Sequence, residues 1–138
     1  LGYQGIVAPT LYRYANINIE ALRKNLQASQ GETNNIIINF VKAFILSMPT
    51  GKQNTFANRT LPSYIRIDVR DDMPVSAVNA YLNPIKEDYI NNSIKSLEDE
   101  LDYALKMGNK PLYSGVLSRT NGTSLETLVD TLKSYIEK

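Results

Sequence analysis

Residues 63–70 (Ser63-Tyr64-Ile65-Arg66-Ile67-Asp68-Val69-Arg70) alternate strictly between polar and apolar side chains. Successive side chains of an extended chain point to opposite faces, so Ile65, Ile67 and Val69 share one face and Tyr64, Arg66, Asp68 and Arg70 the other. A strand marked this way has one face to bury, and its register is set by that need. The element best suited to cover it comes just before. Between Thr33 and Met48, Ile37, Val41, Phe44, Ile45 and Met48 fall on one helical stripe. Ile36, Ile38 and Phe40 widen that stripe enough to predict deep burial. Pro49 and Gly51 end the helix. The chain is therefore expected to lay helices on one side of a sheet.

The connector between these two elements is Pro49-Thr50-Gly51-Lys52-Gln53-Asn54-Thr55-Phe56-Ala57-Asn58-Arg59-Thr60. It has two cations, no acid, and a row of amides and hydroxyls, on a loop between rigid elements where binding groups tend to sit. Gly51 lets the backbone approach a ligand closely. Lys52 and Arg59 can neutralise phosphates, and Gln53, Asn54 and Thr55 can bond phosphate oxygens or ribose hydroxyls. The plainer reading is a solvated surface connector. Gly51-Lys52 is not a nucleotide-binding loop: that motif needs Gly five residues before Gly51 and Ser or Thr after the Lys, where this chain has Leu46 and Gln53. The loop also runs from helix to strand, the reverse of that motif's order.

The rest of the chain extends the pattern. Residues 10–18 alternate, with Leu11, Ala15 and Ile17 on one face and Tyr12, Tyr14, Asn16 and Asn18 on the other, which predicts a first strand. A short helix is expected from Ile19 to Gln27, with Gly31 breaking the chain after it. Asp71-Asp72-Met73-Pro74 reads as a helix start, with helix from Val75 to about Leu82. A long amphipathic helix follows over Lys86 to Met107, with Ile90, Ile94, Leu97, Leu101 and Leu105 in register and Gly108 at its C-terminal cap. Pro111 to Leu117 is a last strand, Asn121-Gly122 a turn, and Thr123-Ser124-Leu125-Glu126 the capping box of a final helix bearing Leu128, Leu132 and Tyr135. The order β-α-α-β-α-α-β-α predicts a single α+β domain over residues 1–138, with a mixed sheet of about three strands and helices packed on one side.

Composition removes whole classes of chemistry. The 138 residues suffice for one buried core, and no apolar run is long enough to span a bilayer. With no Cys, thiolate zinc sites and cysteine nucleophiles are excluded; with no His, a Ser-His-Asp relay is excluded. No metal or other cofactor is expected, and catalysis is disfavoured. The net charge of +1 conceals an asymmetry: residues 1–70 hold eight cations and three acids (+5), residues 71–138 seven cations and eleven acids (−4). Such a split can give one face to a polyanion and another to a protein neighbour. Tyr12, Tyr14 and Tyr64 can stack bases on an open sheet face, though tyrosines more often pack under a helix. Three glycosylation-type triplets (from Asn58, Asn91 and Asn121) read as chance matches without a secretion signal.

Three blocks in order, Tyr12-Arg13-Tyr14-Ala15-Asn16-Ile17-Asn18, Pro49 to Ala57, and Asp72-Met73-Pro74-Val75-Ser76-Ala77-Val78-Asn79-Ala80, resemble the C-terminal part of the type I-E CRISPR Cascade backbone subunit. This is the CasC or Cse-type RAMP protein. The resemblance covers about residues 10–85 well and the remainder loosely. It implies a palm with an RNA-recognition-motif-like (ferredoxin-like) fold, of which this chain, beginning at Leu1, reads as a truncated C-terminal portion. It also implies a non-enzymatic subunit that polymerises along a CRISPR RNA in a prokaryotic, cytoplasmic antiviral surveillance complex. The implied partners are the CRISPR RNA, target DNA paired to the guide, further copies of the subunit and other Cascade subunits, with no membrane. By matching position, Gly51, Lys52, Gln53, Asn54 and Thr55 become an RNA-backbone contact, with Arg13 and Asn16 on the matching strand as weaker candidates. The isolated chain is expected to self-associate through uncovered sheet edges and helix faces. An assembly module with no nucleic-acid contact is the alternative; an RNA-processing nuclease is disfavoured by the missing His.

Overall fold

The computed structural model describes residues 9–48 and 60–137. These residues form two compact units, one from the described parts of Leu1–Asn16 and Pro74–Asn109, the other from Ile17–Met73 and Lys110–Lys138.

In the second unit, helix α1 (Ile19–Leu26) starts at Asn18, whose Oδ1 accepts the Ala21 N–H at 2.9 Å. Helix α2 (Gln30–Leu46) starts at Ser29 with a full capping box: Ser29 Oγ accepts from Glu32 N–H, and Glu32 Oε2 accepts from Ser29 N–H at 3.0 Å. Gly31, expected to break the chain, instead sits in the first turn of α2, exposed and with open space around it. The helical stripe is where the sequence puts it, with Ile37, Ile38 and Ile45 buried, but Ile36 and Phe40 stay 43% and 45% exposed. The helix is thus buried on one side rather than all round.

Strand β1 (Tyr64–Val69) pairs antiparallel with β2 (Tyr113–Ser118), Ile67 opposite Gly115. Helix α4 (Leu125–Ile136) returns across the apolar face of the sheet. Its Leu128, Val129, Leu132 and Ile136 are buried, and Val129, Leu132 and Ile136 form a core with Ile37 and Ile38 of α2, against which Ile17, Leu22, Ile67 and Val69 pack. The α4 cap is Ser124, whose Oγ accepts from Thr127 N–H at 3.0 Å, one residue later than the expected Thr123. Arg23 ties three helices together: its Nη2 donates to Asn34 Oδ1 at 3.1 Å and to the Ile136 carbonyl at 2.9 Å.

In the first unit, helix α3 (Tyr89–Lys106) ends as expected, at Gly108 with φ of 85° and Asn109 N–H donating to Ala104 C=O at 3.0 Å. The expected helix over Val75–Leu82 is only a 3-10 turn, Val78–Tyr81. One physical reason is that Asp72 is not available to cap it. Its carboxylate takes two bonds from Arg70, Nε to Oδ1 at 2.7 Å and Nη2 to Oδ2 at 3.0 Å, and so few residues cannot repay helix nucleation.

The expected strand over residues 10–18 does not form: these residues pair with no strand among those described, and among the described residues the sheet has two strands where about three were expected. Packing explains part of the alternation. The Tyr12 ring lies against the Tyr81 ring, centroids 5.2 Å apart, and its hydroxyl accepts from Ala77 N–H at 3.4 Å. The apolar Ile17 joins the core of the second unit instead.

Candidate nucleic-acid interface

Gly51, Lys52, Gln53, Asn54, Thr55 and Arg59 lie outside the described residues. What the structure supplies is the frame on either side of them. Upstream, α2 ends at Leu46, and Ser47 leaves the helix with extended backbone (φ −76°, ψ 130°) while its N–H still bonds Ala43 C=O at 2.8 Å. Downstream, β1 begins at Tyr64. Both flanking elements contribute to one core through Ile37, Ile38, Ile67 and Val69. The loop's attachment points are therefore rigid.

Arg13 and Asn16 are both exposed, and Asn16 Nδ2 donates to Tyr14 Oη at 3.5 Å. They belong to the first unit, whereas the loop's flanks belong to the second. Of the tyrosines considered as stacking platforms, Tyr12 is taken up by Tyr81, while Tyr14 is exposed. Burial raises the Tyr81 hydroxyl above its ordinary range, with the neighbouring Tyr12 adding a smaller push the same way.

The polar face of the sheet carries a network that reading the sequence did not bring out. Arg66 Nε pairs with Asp68 Oδ1 at 3.0 Å, and Ser114 Oγ donates to that same oxygen at 2.6 Å from the partner strand. Arg70 pairs with Asp72. For the first pair the signal was present as the triplet Arg66-Ile67-Asp68, because residues two apart on a strand share a face. Each pair offsets a cation that otherwise offers full charge to a phosphate, so this face is a weaker anion site than its two arginines suggest. A groove of about 320 Å³ between β2 and α4, lined by Ser114, Val116, Thr127 and Thr131 among others, has no charged side chain in its lining. It is a poor seat for a polyanion.

The fold is shared with solved proteins. A chain of a "CRISPR RNA-guided surveillance complex" aligns with a TM-score of 0.71 at 24% identity, over 86% of this chain and 50% of that one. A chain of a "CRISPR RNA-guided surveillance complex, pre-nicking" aligns with a TM-score of 0.73 at 23% identity, over 87% of this chain and 36% of that one. At such identities the likeness is one of fold, and the chain spans half or less of the length of these two. No curated protein matches the sequence. The model of the CT1975-like protein family matches residues 1–137, and the chain belongs to that family.

Proposed function

We propose that this chain is a structural, non-enzymatic part of a CRISPR-associated surveillance ribonucleoprotein. More narrowly, it is part of the RNA-recognition-motif-like palm of a type I-E Cascade backbone subunit of the CasC or Cse type. The fold shared with chains of CRISPR RNA-guided surveillance complexes carries this reading. In it, the Gly51–Thr55 loop and Arg59 hold the sugar-phosphate backbone of the CRISPR RNA. Gly51 permits close backbone approach, Lys52 and Arg59 supply charge, and Gln53, Asn54 and Thr55 bond phosphate or ribose oxygens. Arg13 and Asn16, exposed in their own unit, are weaker candidates for contact with the same RNA. Copies polymerise along the RNA beside other subunits in the prokaryotic cytoplasm. The protein does not read sequence; pairing of the guide with target DNA does.

Binding of two single-stranded RNAs of equal length and scrambled sequence, measured across a salt series, tests this reading. Equal affinities, whose logarithm falls linearly with the logarithm of salt concentration, are expected. Strong preference for one sequence, or affinity indifferent to salt, contradicts it. The second reading, an assembly module without nucleic-acid contact, is favoured by one observation: Leu82 and Met107 in the first unit are 75% and 69% exposed. Self-association without RNA binding is the outcome that selects it.

A further inference from the structure

The turn between β2 and α4 contains the chain's single Asn-Gly pair, Asn121-Gly122. The Asn121 carboxamide reaches back onto β2. Its Oδ1 accepts from Ser118 N–H at 3.0 Å and its Nδ2 donates to Val116 C=O at 2.7 Å. Ser118 N–H has one proton to give, and giving it to Asn121 leaves none for Tyr64, its register partner on β1. Backbone groups alternate along a strand, so Val116 and Ser118 point away from β1. Asn121 thus occupies the outer edge of β2 in the way a peptide group of another strand does. That edge is otherwise a template for pairing with a second chain.

We propose that Asn121-Gly122 is a self-modification site whose deamidation removes this plug. The nucleophile is the backbone nitrogen of Gly122, and the absence of a side chain there leaves it accessible: even a Cβ built on Gly122 meets no atom within 4 Å. Both residues are exposed to the water the reaction consumes. The Gly122 nitrogen attacks Asn121 Cγ; the new N–Cγ bond forms as the Cγ–Nδ2 bond breaks, and ammonia leaves with the proton from the Gly122 nitrogen. Water then opens the five-membered imide at either carbonyl, giving aspartate or isoaspartate. No oxidant or other co-reactant is required. The product has no amide N–H for Val116 C=O and places a carboxylate oxygen beside it, so the clamp on the strand edge is lost.

The test is to incubate the whole chain at mildly alkaline pH, follow residue 121 by peptide mapping, and follow the Ser118 amide by hydrogen exchange. A synthetic peptide of residues 116–124 sets the timescale. The expected result is conversion at Asn121 with isoaspartate among the products, faster exchange at Ser118 in the converted protein, and the same faster exchange in Asn121→Asp. Gly122→Ala, whose added methyl has open space, is expected to fold normally and lose the conversion over the same period. An Asn121 that survives intact long after the peptide has converted overturns the site. Conversion that leaves Ser118 exchange unchanged overturns the plug.

Discussion

Among single residues, Glu32 and Gly115 show most plainly how local chemistry holds this fold. Hydrogen bonds from the Ser29 hydroxyl and then the Ser29 backbone hold the Glu32 carboxyl below its usual range. A carboxyl lowered by folding contributes stability above its unfolded value, and that contribution fades as pH falls through the folded one. Acid is therefore expected to fray the start of α2 only below the ordinary carboxylate range. Amide exchange of α2's first turn across an acid series checks this. Ser29→Ala is expected to cost about 0.5–2 kcal/mol in urea denaturation. Gly115 answers a different constraint. It sits buried on the apolar face where Leu128, itself 1% exposed, packs onto the strand, and a Cβ there lies 2.5 Å from Leu128 Cδ1 and collides with the Tyr113 hydroxyl. Gly115→Ala is expected to destabilise by about 1–3 kcal/mol; a variant as stable as the parent contradicts this account of the packing. The capping box was legible as Ser29-x-x-Glu32. Gly31 obscured it, because a glycine reads as a breaker unless the cap before it is recognised.

Among elements, the amphipathic patterns with one clear face survived, and those serving two masters did not. The alternation of residues 64–69 and the stripes of α2 and α4 converge on one core, so sequence and fold agree there. Residues 10–18 alternate as well, but their tyrosine face meets a 3-10 turn and their Ile17 enters the other unit. Periodicity records which side chains are buried, not whether a neighbouring strand does the burying. Arg23 was equally illegible, since its partners lie 11 and 113 positions away in sequence. Its guanidinium satisfies the buried Asn34 carbonyl and the carbonyl end of α4, where a cation also suits the helix dipole. Arg23→Met is expected to cost about 1–3 kcal/mol, since it orphans a buried acceptor, and to speed amide exchange in the last turn of α4. Loss of stability without that local change contradicts a clamp at the helix end.

On the scale of the whole molecule, the charge asymmetry persists between the structural units but is smaller there than between the two halves of the chain, which carry +5 and −4. The unit of Leu1–Asn16 and Pro74–Asn109 carries four cations and six acids (−2). The unit of Ile17–Met73 and Lys110–Lys138 carries eleven cations and eight acids (+3), and it bears the elements that flank the candidate loop. Within it, Arg66 and Arg70 are offset by their own aspartates, which leaves more of the demand for phosphate on Lys52 and Arg59 in the proposed interface. The most direct measurement is the salt dependence of RNA affinity for the parent chain and for Lys52→Ala. Lys52→Ala is expected to weaken binding about equally for every RNA sequence and to lower the slope of log affinity against log salt by about 0.7, the value for one phosphate contact on a single strand. An unchanged affinity and slope contradict the loop's assignment as the contact to the RNA backbone.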